Sequence, residues 1–409
     1  MQPRPFTFPS PPIPPPQTRP CYSLTAARWS ANTATTAAAF APRLRFDVSE
    51  SIPRSYYLGH HHAALREISS RLSDVGLVLE CRDYRVPLTS WNPVLDRAIA
   101  GRERIVVYTH RDLGADSPAS VEHALRRFHN GSGRSPTGGG GNTSTTRQRV
   151  VFWRKDDPAT TKQLLSEIRN VARSVDSLTG MRALVVGMPN VGKSTLLNKL
   201  RVHGMHKKQS VAKVGAQPGV TRKLSSPVRI LDSENSNTSG GNGNGNGNDT
   251  MGLGEGVFVL DTPGVFMPFV SEAESMVKLA LAGSVKDDRI PMEILADYLL
   301  YRLNLVDPGA YARYSEPTNE VNEFLTGVAR RTGKLKSGGE ANADSAADWI
   351  VKQWRVGNLG KFVLDDITDE AFKDKELARE GQGSLSMNQA RRKEKEARKE
   401  RAMNKSKAV

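Results

Sequence analysis

The feature that most constrains this chain is the glycine-rich segment Gly187-Met-Pro-Asn-Val-Gly-Lys-Ser194, which matches the pattern G-x-x-x-x-G-K-[ST]. An apolar run at Arg182–Val186 comes directly before it and predicts a buried strand, and Thr195–Arg201 predicts a helix directly after it. In that context, the backbone N–H groups of the loop and of the helix N-terminus surround a phosphate group. The chain is therefore expected to contain an α/β sheet that binds a phosphorylated ligand at one edge.

Apolar runs alternate with helical patterns over much of the chain. Further strands are predicted at Asp74–Glu80, Arg104–Thr109 and Val150–Trp153, and helices at Asn92–Ala100, Ser117–His129 and Thr160–Leu178. Strands that alternate with helices indicate a mostly parallel sheet covered on both faces. From residue 271 the pattern becomes helical. We therefore predict an α/β domain over residues 55–270 and a small α-helical C-terminal domain over residues 271–365.

The first 46 residues have an unusual composition. They contain five Arg but no Lys, Asp or Glu, among many Ser, Thr, Ala and Pro. An Arg-rich segment without acidic residues is typical of an organelle-targeting presequence, and the alternative is a disordered extension of a cytosolic or nuclear protein. The two cysteines of the chain exclude a disulfide framework. No apolar run approaches the length of about 18 residues that a membrane-spanning helix needs.

Three further segments fall outside the α/β pattern. Residues 130–146 and 233–249 consist largely of Gly, Ser, Thr and Asn, so we predict flexible insertions within the α/β domain. Residues 387–409 contain nine Lys or Arg against three Glu, which places +6 of the chain's net charge of +15 in this tail. A basic tail favours an anionic partner such as RNA or an acidic membrane surface, and the alternative is a solvated charged helix.

Three segments supply the side chains expected around the phosphates and a metal ion. Lys193 is placed to neutralise the β- and γ-phosphates, and Ser194 is placed to bind Mg²⁺. The apolar run before Asp261-Thr-Pro-Gly264 predicts a strand that ends in Asp-x-x-Gly, so Asp261 can reach Mg²⁺ and Gly264 can offer its N–H to the γ-phosphate. Thr221 lies between these motifs and can complete the Mg²⁺ shell. We therefore predict a nucleotide hydrolase with Lys193, Thr221 and Gly264 as catalytic residues and with Ser194, Thr221 and Asp261 as Mg²⁺ ligands.

The residues that would recognise the nucleotide base are expected to lie before the glycine-rich loop in the sequence. Guanine is usually selected by Asn-Lys-x-Asp at a strand end, where the Asp accepts two hydrogens from the base, and no such sequence follows residue 264. The nearest match is Thr109-His110-Arg111-Asp112, after the second predicted strand. Asp112 keeps the carboxylate, whereas Thr109 replaces the Asn that ties this loop to the P-loop and His110 replaces the Lys whose stem stacks on the base. The loss of one hydrogen bond would weaken binding by about 1–2 kcal/mol.

The order and sequence of these motifs resemble the circularly permuted GTPases of the YlqF type, and among them the mitochondrial ribosome-associated group. In that family the base-recognition motif precedes the P-loop. The resemblance covers residues 55–365 and rests on Leu58–His60, Leu65–Ile68, Asp74–Pro87, Trp91–Pro93, Gly187–Ser194, Val214–Thr221, Leu260–Gly264, Pro268, Leu279–Lys286 and Trp354–Gly360.

The resemblance implies a P-loop GTPase fold that binds GTP or GDP with Mg²⁺. The predicted nucleotide-binding residues are Thr109, His110, Asp112, Asn190, Val191, Gly192, Lys193, Ser194, Thr195 and Gly264. Asn190 resembles the asparagine with which some such GTPases use K⁺, so K⁺ is a candidate cofactor at this residue. Val265 stands where many GTPases orient the attacking water with Gln. Because valine cannot orient water, and because the family has a hydrophobic residue there, intrinsic hydrolysis is expected to be slow.

The resemblance also implies a target and a location. The implied target is the large subunit of the mitochondrial ribosome, with its rRNA and proteins, during assembly. The implied location is the mitochondrial matrix, with peripheral association with the matrix face of the inner membrane as an option. Three alternatives stay open: a GTPase for a plastid or cytosolic ribosome, a nucleotide-dependent RNA-binding scaffold with little turnover, and an ATPase.

Overall fold

The structure, a computed structural model, describes residues 40–49, 52–56, 59–131, 148–175, 177–205, 225–233, 253–270 and 272–379, together with Arg392. Most of the predicted leader, nearly all of both predicted insertions, and the basic tail apart from Arg392 lie outside these residues, as does Thr221. Those predictions therefore stay predictions.

The described residues form a six-stranded sheet and the helices around it. The strands are β1 (Leu77–Asp83), β2 (Arg104–Thr109), β3 (Arg149–Phe152), β4 (Met181–Gly187), β5 (Val228–Leu231) and β6 (Val257–Asp261). The helices are α1 (Gly59–Arg71), α2 (Pro93–Ala98), α3 (Ala119–Gly131), α4 (Pro158–Val175), α5 (Lys193–Met205), α6 (Ala273–Leu281), α7 (Met292–Val306), α8 (Val321–Thr332), α9 (Ala343–Arg355) and α10 (Asp369–Arg379).

The sheet has the strand order β3-β2-β1-β4-β6-β5. All neighbouring strands are parallel except β5 and β6, which are antiparallel. All seven residues of β1 are buried, as expected for a parallel strand covered by helices on both faces. The predicted α/β class with a mostly parallel sheet is thus confirmed. The first predicted strand is displaced to Leu77–Asp83 because Leu72–Asp74 form a 3₁₀ turn that extends α1.

The parallel arrangement places four chain segments at one edge of the sheet. β1, β2, β4 and β6 end at Asp83, Thr109, Gly187 and Asp261, respectively. The carboxyl ends of parallel strands share an edge, and in open α/β sheets this edge binds ligands. The segment after β2 therefore lies on the same edge as the glycine-rich loop after β4, although it precedes that loop in sequence. The permuted order of the motifs in the sequence therefore does not prevent them from meeting at one edge of the sheet.

Helices α6 to α9 pack together after the sheet, and one apolar core continues into them from the sheet. Tyr298 of α7, Phe324 of α8 and Trp354 of α9 are fully or almost fully buried and belong to the same cluster as Leu79 of β1. The helical character predicted for residues 271–365 is present, and α10 follows beyond this range. Among the residues described, no helix combines the length and apolar character that crossing a membrane requires.

Residues 40–48 pack against the helical region, although composition assigns most of them to the leader. The Phe46 ring stands edge-on to Tyr298 with ring centroids 5.0 Å apart. The guanidinium of Arg43 lies 2.5 Å from the Asp297 carboxylate, and the Tyr301 hydroxyl donates to the Leu44 carbonyl at 3.3 Å. The end of the predicted leader thus makes the contacts of folded chain. Composition cannot register such contacts, since they depend on residues 250 positions or more away.

Replacing Phe46 by Ala is expected to lower the free energy of unfolding by about 2 kcal/mol, because the substitution removes a half-buried aromatic ring that packs against Tyr298 of α7. Urea unfolding measures this change. Leu44→Ala is the matched control, because the Leu44 side chain is 82% exposed and its loss should cost less than about 0.5 kcal/mol. Equal effects of the two substitutions would show that this segment is not docked as described.

Candidate nucleotide site

The glycine-rich loop connects β4 to α5 by a backbone path that only glycine allows at its first position. Gly187 has φ +148°, and a Cβ at this residue would lie 2.4 Å from the Cys81 carbonyl oxygen. Gly192 has φ +83° and stands directly before α5. The loop therefore wraps tightly at the amino end of a helix, where unpaired N–H groups and the helix dipole favour an anion.

Lys193 is buried at the start of α5, and its ammonium group lies over the loop. Its Nζ donates to the Met188 carbonyl at 2.7 Å and to the Gly187 carbonyl at 3.4 Å. Burial lowers the pKa of Lys193, and the nearby Asp261 carboxylate acts in the opposite direction. A phosphate bound in the loop would add negative charge beside this buried ammonium group and so act in the same direction as Asp261.

Ser194 and Asp261 form the half of the site that suits a metal ion. The Ser194 hydroxyl donates to Asp261 Oδ2 at 2.5 Å. Asp261 Oδ1 is buried and has no hydrogen-bond partner among the residues described. Burial raises the pKa of Asp261, while Lys193 acts against this shift. Hydroxyl and carboxylate oxygens are ligands that Mg²⁺ prefers, so this pair fits the ion. Thr221, the other predicted ligand, lies outside the described residues.

The Asp-x-x-Gly loop is fixed against the glycine-rich loop. The Val265 N–H donates to the Gly187 carbonyl at 3.1 Å, and a Cβ at Gly264 would lie 2.6 Å from the backbone of Pro189. His61 Nδ1–H donates to the Gly264 carbonyl at 2.9 Å, and Asn92 Nδ2 donates to the Val265 carbonyl at 2.9 Å. The Asp-x-x-Gly loop and the residue after it are thus held from two sides, directly against the glycine-rich loop.

Sequence reasoning assigned no role to His61 or Asn92. Both residues are buried, and both reach the Asp-x-x-Gly loop from segments about 170 to 205 positions earlier. Asn92 carries a local motif, because it precedes a proline and caps α2 by accepting from the Val94 N–H at 3.0 Å. Its second contact, with Val265, has no sequence signature.

The segment after β2 contacts the glycine-rich loop directly. The Thr109 hydroxyl lies 2.7 Å from the Val191 carbonyl, to which it donates, and 3.1 Å from the Arg82 carbonyl. The His110 ring lies beside Gly192, where a Cβ would be 3.5 Å from His110 Cε1. Asp112 Oδ1 is buried without a hydrogen-bond partner in the described part of the chain. The tie that Asn makes in other GTPases is therefore present here through the shorter Thr109.

Replacing Thr109 by Val is expected to weaken GDP binding by about tenfold, because the isosteric side chain leaves the buried Val191 carbonyl without its donor. Binding of a fluorescent GDP analogue measures the change. Thr109→Ser keeps the hydroxyl and should bind within about twofold of the unmodified protein. If Thr109→Val also binds normally, the tie between the two loops does not support nucleotide binding.

Of the predicted site residues, Thr221 lies outside the described part of the chain. The others lie on the shared edge of the sheet, namely Thr109, His110, Asp112, Asn190, Val191, Gly192, Lys193, Ser194, Thr195, Asp261 and Gly264. Asn190, the predicted K⁺ ligand, has φ +57° and donates its Nδ2 to the Gly283 carbonyl at 2.8 Å. Its amide group is therefore engaged with the end of α6.

Three loops meet at this edge: the glycine-rich P-loop (Gly187–Ser194) with its Lys and Ser, the Asp-x-x-Gly loop (Asp261–Gly264), and the segment Thr109–Asp112, here called the base loop. Together they define a P-loop nucleotide hydrolase. Residues 182–331 match a family described as 50S ribosome-binding GTPase. Mitochondrial GTPase 1 of Schizosaccharomyces japonicus is 34% identical over 328 residues, which cover 78% of this chain and 93% of that protein. Ribosome biogenesis GTPase A of Priestia megaterium is 27% identical over 316 residues, which cover 76% of this chain and 96% of that protein.

GNP-bound YlqF from T. maritima matches 75% of this chain and 99% of its own, with 22% identity and a TM-score of 0.47. On the sequence relatives and the order of its own motifs, the chain belongs to the circularly permuted GTPases of the YlqF type. Its reaction is the hydrolysis of GTP to GDP and phosphate.

Proposed function

We propose that this chain is a GTP-dependent assembly factor for the large subunit of the mitochondrial ribosome, with slow intrinsic hydrolysis that the ribosome stimulates. The observation that carries the proposal is Val265, which directly follows the Asp-x-x-Gly motif. This side chain is fully buried in an apolar cluster with Ile68 and Val186. Many GTPases place a water-orienting Gln here. An enzyme that lacks this group needs a partner to complete its site, and relatives of this chain carry ribosomal names.

The geometry of the loop supports the proposed residue roles. The backbone N–H groups of residues 190–194 bind the β-phosphate, and Lys193 neutralises charge that develops between the β- and γ-phosphates. Ser194 and Asp261 would hold Mg²⁺, with Thr221 as the third proposed ligand. Such an ion would supply charge neutralisation at the phosphates and fix the γ-phosphate for in-line attack. The Gly264 N–H donates to the γ-phosphate, so loss of that phosphate releases the loop that leads into α6.

Asn190 is the proposed K⁺ ligand. A K⁺ ion beside the phosphates would spread charge in the transition state as an arginine side chain does in other GTPases. Hydrolysis is then expected to be faster in KCl than in NaCl at equal ionic strength. Equal rates in the two salts would exclude this role.

The base loop is proposed to select guanine through Asp112, which rules out an ATPase if the assignment holds.

The leader and the tail supply the remaining parts of the proposal. The part of the predicted leader, residues 1–46, that precedes the docked residues 40–48 directs the chain to the mitochondrial matrix, and residues 387–409 contact the phosphate backbone of rRNA. Peripheral binding to the inner membrane through the same basic residues is part of the proposal. An affinity for rRNA that does not fall with added salt would contradict the role of the tail, since phosphate contacts release counterions.

Sedimentation with ribosomal subunits tests the proposal. The protein is mixed with mitochondrial large subunits, or with cytosolic large subunits as the matched arm, in the presence of a non-hydrolysable GTP analogue or GDP. We expect co-sedimentation with the mitochondrial subunit that is at least about tenfold stronger with the analogue than with GDP. Nucleotide-independent binding would support the RNA-binding scaffold, and preference for the cytosolic subunit would support the other ribosomal target.

A further inference from the structure

The carboxyl end of α6 lies against the nucleotide site. After α6 the chain forms a Schellman turn in which the Gly283 N–H donates to the Ala280 carbonyl at 2.9 Å and the Ser284 N–H donates to the Leu279 carbonyl at 2.8 Å. Gly283 has φ +87°, the left-handed conformation that this turn requires. The last carbonyl groups of a helix accept no hydrogen bond from an N–H group within that helix, and they lie at the negative end of the helix dipole. They therefore attract hydrogen-bond donors from other parts of the protein.

Three side chains from three parts of the protein donate to these carbonyls. Arg355 of α9 donates to the Leu281 carbonyl at 3.0 Å and to the Ala280 carbonyl at 2.8 Å. Arg85 Nη2 donates to the Ala282 carbonyl at 2.9 Å, and Asn190 Nδ2 donates to the Gly283 carbonyl at 2.8 Å. Arg85 follows β1 and Asn190 belongs to the P-loop. One turn of chain therefore joins the helical region to two separate parts of the nucleotide site.

Arg85 also reaches the base loop through Asp83. Its Nε donates to Asp83 Oδ1 at 3.1 Å and its Nη2 to Asp83 Oδ2 at 2.7 Å. The same Asp83 Oδ2 lies 3.3 Å from Nδ1 of His110, the residue in the base loop that lies beside Gly192. Burial acts to raise the pKa of Asp83, but Arg85 and His110 outweigh it and hold this pKa well below its usual range. Asp83 is thus a carboxylate shared by Arg85 and the base loop.

The surroundings of Arg85 leave it little freedom. Its side chain is 4% exposed, and its guanidinium lies over the Trp354 ring, 5.3 Å from the centroid. Trp354 belongs to α9, as does Arg355. The Leu364 N–H also donates to the Arg85 carbonyl at 2.7 Å. A shift of Arg85 would therefore disturb its contacts with the end of α6, with Trp354 of α9, and with Leu364 in the segment after α9.

We propose that Arg85 is a positioning residue for guanine-nucleotide binding, which holds His110 and the base loop through Asp83 and couples that loop to the carboxyl end of α6. This inference rests on the assignment of residues 109–112 to the base. Nucleotide binding orders the base loop and the P-loop together, and both are anchored on residues 282–283. The helical region thus senses occupancy at the base end of the site as well as at the γ-phosphate.

Arg85→Lys tests the proposal, because an ammonium group keeps the charge but cannot hold both Asp83 oxygens and the Ala282 carbonyl with a planar fork. The matched control is Arg104→Lys. Arg104 is also an arginine with little exposure, 9% of its side chain, and it pairs with two carboxylates, Glu80 and Asp96. It lies at the opposite end of the sheet, at the start of β2. For each variant we measure the dissociation constant of fluorescent GDP, the urea midpoint, and hydrogen exchange of the Gly283 and Ser284 amides with and without GDP.

We expect Arg85→Lys to raise the dissociation constant by about tenfold, as the loss of one charged hydrogen bond implies. Arg104→Lys should lower the urea midpoint but leave the dissociation constant within about twofold. In the unmodified protein, GDP should slow exchange at Gly283 and Ser284, and in Arg85→Lys this protection should be lost. Similar affinity losses in both variants would overturn the proposal, because they would show a general effect of instability.

The exchange measurement on the unmodified protein keeps the test decisive if Arg85→Lys does not fold. GDP that leaves the Gly283 and Ser284 amides unchanged would overturn the coupling without any variant. Asp112→Asn in the same binding assay distinguishes a failure of the base-loop assignment from a failure of the role proposed for Arg85. If that variant keeps its preference for GDP over XDP, the base loop has been assigned wrongly, whatever Arg85 does.

Discussion

Replacing Asp112 by Asn is expected to lower the affinity for GTP by about 100-fold or more and to make XTP the better ligand. The Asp carboxylate accepts two hydrogens from guanine, and each hydrogen bond to a charged group contributes about 1.5–3 kcal/mol. An Asn amide offers one acceptor and one donor, which suits the second carbonyl of xanthine. Asp112 Oδ1 is buried without a partner among the residues described, as expected for a group whose partner is a ligand.

Competition of GTP, XTP and ATP against a fluorescent nucleotide measures this change. Asp116→Asn is the control, since Asp116 is an exposed acid on the same turn and accepts from the Lys361 N–H at 3.0 Å. It should retain the preference for GTP. If Asp112→Asn binds GTP normally and gains no XTP, then the base site lies elsewhere and the upstream assignment fails.

Replacing Gly264 by Ala is expected to reduce kcat for GTP hydrolysis by about 100-fold or more while GDP affinity changes little. The new Cβ would lie 2.6 Å from the backbone N and Cα of Pro189, so the Asp-x-x-Gly loop must move away from the P-loop. Its N–H then no longer reaches the γ-phosphate, and removal of one donor of this kind typically costs about 10²–10³ in kcat.

Gly333→Ala is the matched control for this substitution. Gly333 has a positive φ, +71°, but its Cβ would meet nothing within 4 Å, whereas a Cβ at Gly264 would meet the backbone of Pro189. The variant should lose about 1 kcal/mol of stability through backbone strain and keep its kcat. A Gly264→Ala variant that hydrolyses GTP at the normal rate would show that this loop does not contact the γ-phosphate.

The local parts of the fold could be predicted because each depends on a short stretch of chain. The strand, loop and helix around Gly187–Ser194 follow from periodicity and glycine placement alone. The place of Thr109–Asp112 at the end of a strand could be predicted because these residues follow an apolar run, whereas their role in base recognition stays a prediction. That Thr109, which stands where the usual motif has Asn, donates to the Val191 carbonyl could not be predicted, because the distance between these two residues depends on how the strands are arranged in the sheet.

Contacts between distant segments account for most of what the sequence did not reveal. Asn190 is the proposed K⁺ ligand, and its hydrogen bond to Gly283 depends on how α6 packs on the P-loop. Arg85 and His110 share Asp83 because β1 and β2 are neighbours. Phe46 packs on α7 although its neighbours in sequence have the composition of a leader. None of these pairs has a spacing that a sequence pattern can detect.

Turnover with and without ribosomal subunits tests the central claim most directly, namely that the site around Gly187–Ser194 binds GTP well but hydrolyses it slowly until a partner completes it. The rate of phosphate release is measured for the unmodified protein and for Gly264→Ala as mitochondrial large subunits are added. We predict a rise in kcat of at least about tenfold for the unmodified protein, as partners commonly supply to GTPases, and no rise for the variant. Fast hydrolysis by the isolated protein, or a rate that stays constant while the subunit binds, would contradict this account.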